Sequence, residues 1–159
     1  MTTSVISPDT TRLLRQLVAT IAFRASRSLR DAPAALENAR LGEGGMTARE
    51  LVIHMTNVMA FALATVSGTE RIRHDALDWP REIDRFYSLL AQVDSRLAEG
   101  AVMDAGMDLK LVQGPLADAL THVGQLHAMR RMAGEPVATT NYIKADVQIG
   151  RIALKDQTE

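Results

Sequence analysis

The chain has 159 residues, 47% of them hydrophobic and 23% charged, with a net charge of -1 and no cysteine. That length and composition fit one globular domain spanning 1–159. The near-neutral balance gives no basic footprint for nucleic acid, and the lack of cysteine excludes disulfides, zinc–thiolate sites and a cysteine nucleophile.

The opening stretch MTTSVISPDTTRLLRQ has neither the basic start nor the apolar core of a signal peptide. The longest strongly apolar run, VMAFALATV, is too short to span a bilayer. A cytoplasmic protein with neither a membrane nor a nucleic-acid partner is the expectation. Ser7 followed by Pro8 marks a helix start. Leu14, Leu17, Val18, Ile21, Ala25 and Leu29 then recur at helical spacing, which predicts a helix over 8–30. RDAPAALENARLGEGG breaks the pattern and reads as a connection with a short helical turn.

Thr47 and Glu50 form a capping box that opens a helix over 47–67. Its inward face runs Leu51, Met55, Val58, Met59 and Ala62, and His54 is expected to point into that face rather than to the surface. SGTERIRHDALD is a polar loop carrying His74, which reads as solvated. Ile83, Phe86, Leu90, Val93 and Leu97 form the seam of a helix over 80–99, closed by Gly100. Residues 101–114 read as irregular, with DLKLV extended, and the last helix is expected over 115–133, ending at Gly134. The segment NYIKADVQIGRIALKDQTE alternates weakly and is expected to lie extended across the helices.

Four amphipathic helices predict an all-α four-helix bundle over about 7–134, with an extended C-terminal tail over 135–159. A two-fold homodimer is expected from the generous apolar supply and from its prevalence among oligomers.

On the last helix, Pro115, Ala119, His122, Leu126, Met129 and Ala133 trace the apolar stripe, with Asp118 on its shoulder. Asp118 and His122 stand one turn apart, displaced by only about 40° around the helix, so both reach one point. His54 offers a third group from another helix. Buried together, such groups are unfavourable unless paired or bound to a cation. Two readings follow: a divalent-metal site of His54, Asp118 and His122, or an Asp118–His122 ion pair beside a core histidine. His127 lies about 140° around from His122 and cannot share its site; it reads as a boundary residue. Met55, Met59, Met129 and Met132 read as core filler.

THVGQLHAMRRMAG resembles the closing helix of the DinB-like (damage-inducible) superfamily of helical bundles, whose motif has the form H-x-x-x-H-R-G-Q. ARELVIHMTNVMAFAL resembles the second helix of that superfamily, and DWPREIDRFYSLLAQVDSRL its third. The resemblance implies a metal triad of His54, Asp118 and His122. The sequence departs from the motif twice: Asp118 stands where histidine is common, and Val123 stands where arginine is, while Gly124 and Gln125 are kept. It further implies a divalent metal (zinc, nickel, iron or manganese) with open coordination positions, and a transferase that joins a low-molecular-weight thiol to an electrophile. A hydrolase using the same ligands, and a non-catalytic dimeric binding module, are the alternatives.

Overall fold

The computed structural model describes residues 3–157, and among them the fold is mostly helical, with almost no strand. Four long helices dominate: α1 (Pro8–Leu29), α2 (Ala48–Ser67), α3 (Trp79–Ala98) and α5 (Ala117–Met132). A short helix, α4 (Met107–Leu111), precedes α5. Each of α1 and α2 packs chiefly against α3 and α5, so α1 and α2 lie across the diagonal of the bundle. The long connection after α1 crosses that diagonal and the one after α3 crosses the other, from α3 to α5, whereas the neighbours α2 and α3 are joined by the polar loop 68–78.

Local chemistry sets the helix starts. The Ser7 side chain accepts a hydrogen bond from Thr10 N–H ahead of Pro8, and the Thr47–Glu50 box is formed in both directions. Asp78 caps α3 through Arg81 N–H. Gly68 ends α2 at φ 63°, in the left-handed conformation that glycine adopts without a Cβ clash. The connection after α1 contains one 3-10 turn, Ala34–Leu36, as its composition suggested.

The seams meet in one core, where Phe23, Phe86, Leu51, Met55, Met59, Leu90, Leu97 and Leu126 are fully buried. By length and composition α2 is apolar enough to cross a bilayer, at a mean hydropathy of 1.4, but half of that stretch is buried within the bundle. Met132 is exposed and fills no core space, unlike Met55, Met59 and Met129.

The connection between α3 and α5 differs from its expected form. DLKLV is not extended: it lies in α4 and leads into a π-helical turn, Val112–Leu116, that runs on into α5. Pro115 therefore sits inside the helix rather than at its start. Having no N–H, proline cannot continue the ordinary ladder. The wider turn carries the chain past it, with Ala117 N–H reaching Val112 O. The extended piece here is instead Val102–Asp104 (β2), paired antiparallel with Thr3–Val5 (β1). The tail also departs from its reading. Over its described residues it is a series of turns with one 3-10 turn, Leu154–Asp156, held on α1 by Arg30 donating to Leu154 O and Gln157 O and by Arg27 donating to Ala138 O. The alternation there reflects single residues turned inward, such as Ile152.

Two arginines tie helices together. Arg15 forks onto Asp94 with bonds of 2.9 and 2.8 Å, joining α1 to α3. Arg130, in the last turn of α5, donates to Arg27 O, Ser28 O and Arg30 O at 3.2, 2.9 and 2.7 Å, and to Asp31 O at 3.3 Å. The first three are carbonyls that the end of α1 and its cap leave without helical partners, and Asp31 follows directly after them. Arg130→Met is expected to lower the unfolding free energy by about 2 kcal/mol, while Arg131→Met, at an exposed position, changes it by less than about 0.5 kcal/mol. Urea titrations of both variants measure the difference, and equal losses would refute this role.

Candidate metal centre

The neighbouring helices α2 and α5 bring His54 opposite Asp118 and His122. His54 Nε2 is 3.0 Å from Asp118 Oδ2, and His122 Nε2 is 3.2 Å from Asp118 Oδ1, so one carboxylate spans two imidazoles. The two rings stand edge to face, their centroids 4.8 Å apart. One donor atom from each of the three residues can be chosen so that all lie within 4.8 Å of one another, a group that could hold a metal ion.

The structure brings together all three residues expected at the site, with one correction. His122 is buried, but the side chains of His54 and Asp118 are each 42% exposed. The inward direction expected of His54 is only half realised. The cause is position: His54 and Asp118 lie on the rim where α2 meets α5 and border a cavity of about 560 Å³. Burial of unpaired charge is therefore a weak argument for a ligand here.

Hydrogen-bond logic is a stronger one. Gln125, on the turn after His122, presents Oε1 to His122 Nδ1 at 2.7 Å. An oxygen there accepts, so Nδ1 carries the proton; Nε2 then turns a lone pair to Asp118 Oδ1 in the neutral ring and an N–H in the imidazolium. Two acceptors 3.2 Å apart repel unless a cation or a further proton lies between them. Two imidazole nitrogens and a carboxylate oxygen suit zinc and the other divalent first-row metals. Neighbouring ligand atoms on a tetrahedral zinc stand about 3.3 Å apart, against separations of up to 4.8 Å among the three donor atoms here. Gln125 is the outer partner anticipated for a ligating histidine. His54 Nδ1 has no such acceptor among the described residues.

The remaining histidines stand apart. His127 Nε2–H donates to Arg24 O at 3.0 Å across the α5–α1 contact, which makes it a boundary residue and no part of the triad. His74 is partly buried over a separate cleft bordered by α2 and α3, rather than freely solvated. Sequence reasoning passed over Arg71, which lines the cavity beside His54 and Asp118. A loop position has no periodicity that could have flagged it.

Compared with protein-family models, with curated proteins and with solved structures, the chain matches none.

The environment of His127 sets a pH dependence. Burial, and then the nearby Arg27, Arg24 and Arg130, push its pKa below the ordinary value, against a smaller opposing effect of the bond to Arg24 O. The unfolded chain therefore takes up this proton first, near its ordinary pKa of about 6.5. The stabilisation is present above that pH and is lost as the pH falls through it toward the depressed folded value. Unfolding free energies measured from pH 7.5 to 5 should fall more steeply for the wild type than for His127→Gln, and parallel curves would contradict this account.

Proposed function

We propose that the chain is a divalent-metal protein of the DinB-like type, with His54, Asp118 and His122 as ligands, and that it transfers a low-molecular-weight thiol to an electrophile. The observation that carries the proposal is the convergence of one donor atom each from His54, Asp118 and His122 within 4.8 Å, with His122 oriented by the Gln125 bond at the far side of its ring. A bound divalent cation supplies Lewis acidity, which lowers the pKa of a coordinated thiol enough for thiolate chemistry near neutral pH.

The chain's own residues supply the rest. Gln125 fixes the His122 tautomer and ring orientation. Two of the three donors, His54 and Asp118, border an open cavity that leaves room for further ligands, the layout expected of a catalytic rather than a closed structural site. Phe61, Val58, Pro115 and Ala117 give that cavity apolar walls, and Asn57, Gln113 and Thr121 add neutral polar groups. Since the chain has no cysteine, the thiol must arrive as a substrate. A two-fold homodimer and a cytoplasmic setting belong to the same proposal.

Metal analysis of protein dialysed against zinc tests the ligand set. The wild type is expected to hold one zinc per chain, His122→Ala to lose it and His127→Ala to retain it. Gln125→Leu should bind zinc about 10–100-fold more weakly, the usual effect of removing an outer partner of a ligating histidine. Equal zinc in wild type and His122→Ala would leave Asp118 as an ordinary ion-pair partner and the chain as a helical binding module.

A further inference from the structure

The loop between α2 and α3 runs with alternating side chains. Glu70, Ile72 and His74 line a cleft bordered by α2 and α3, and Arg71 between them lines the other cavity, the one that holds His54 and Asp118. Alternation of this kind is what an extended backbone imposes. The loop is held at both ends. Gly68 begins it in the left-handed conformation, with Thr69 N–H bonded to Ala64 O at 3.0 Å. At its far end Leu77 N–H donates to Glu82 Oε2 at 3.0 Å, Arg49 to Leu77 O at 2.8 Å and Arg85 to Asp75 O at 2.8 Å.

Arg71 is exposed and makes no hydrogen bond or ion pair among the described residues. The other charged or titratable groups on the cavity wall are His54 and Asp118. A divalent cation with one carboxylate and two neutral imidazoles carries net positive charge, and Arg71 adds another. Such a cavity selects anions. Its remaining walls are apolar or neutral polar, so the anionic group it accommodates belongs to an organic molecule of modest size.

We propose that this cavity recognises a thiol that also bears a carboxylate, the sulfur directed to the His54–Asp118–His122 end and the carboxylate set against Arg71. The proposal rests on the metal-site reading and specifies the substrate class of that site. A guanidinium and a carboxylate pair through two parallel N–H···O bonds. Because Arg71 is exposed, the preference it confers is about tenfold rather than several hundredfold.

The test uses the cobalt-loaded protein and two thiols of matched length, 3-mercaptopropionate and 3-mercapto-1-propanol. Sulfur-to-cobalt charge-transfer absorption reads the affinity of each. The wild type should bind the acid about tenfold more tightly than the alcohol. Arg71→Gln should abolish that preference, and Arg71→Glu should reverse it. Both variants should keep their cobalt content and their affinity for the alcohol, which separates recognition from folding. A wild type that takes up cobalt but binds both thiols alike overturns this proposal alone, as does an Arg71→Gln variant that keeps the preference. A wild type that takes up no cobalt overturns the metal reading and this proposal together.

Discussion

Arg130 closes the C-terminal end of α1 from outside that helix, and in doing so fixes how α5 is turned about its own axis. Its guanidinium reaches several carbonyls at once, so neither a slide nor a rotation of α5 leaves those bonds intact. His127 adds a second fastening to the same helix through Arg24 O. Both lie in the later turns of α5, and they set the direction of its earlier turns, where Asp118 and His122 face α2. The site is held by one side of α5 because the opposite flank is anchored to α1.

Asp118 does its work through shortness and two oxygens. The side chain reaches both His54 and His122 from a helix that packs directly on α2, one oxygen to each ring. A histidine at that position could offer only one nitrogen to the site, and would leave it without negative charge. In the proposed metal site the carboxylate would partly neutralise a divalent cation, and Arg71 would reinforce the charge left over. An aspartate rather than a histidine at position 118 thus bears on the electrostatics of such a site as much as on its geometry.

What the sequence made legible was mostly short-range. Ser7–Pro8, the Thr47–Glu50 box and the seam of α3 announce themselves because each depends on residues within a turn or two. The triad was also readable, since the Asp118–His122 spacing is local and His54 sits at a countable offset from Leu51. Its exposure was not readable, because that depends on how closely two distant helices approach at one end. DLKLV misled because five residues suit a period of two as well as 3.6, and Pro115 because a proline within a helix is rarer than one at its start. The pairing of β1 with β2 joins segments nearly a hundred residues apart, beyond any local pattern. Arg130 and Arg71 gave no signal at all, one resembling an ordinary basic last turn and the other a loop charge.

The wide turn at Val112–Leu116 lies between two fastened ends. Upstream, β2 is tied to β1 by strand pairing; downstream, α5 is tied to α1 by Arg130. A π-turn holds one residue more than the ordinary helix needs over the same rise, so this segment carries slack. Loss of one residue from Val112–Gly114 would use up that slack and leave Pro115 in an ordinary helical ladder that it cannot join, so the extra residue is what lets a proline stand just ahead of Asp118 and His122. The length of this segment is therefore tied to its proline, and a one-residue deletion there should be tolerated only when Pro115 is replaced as well.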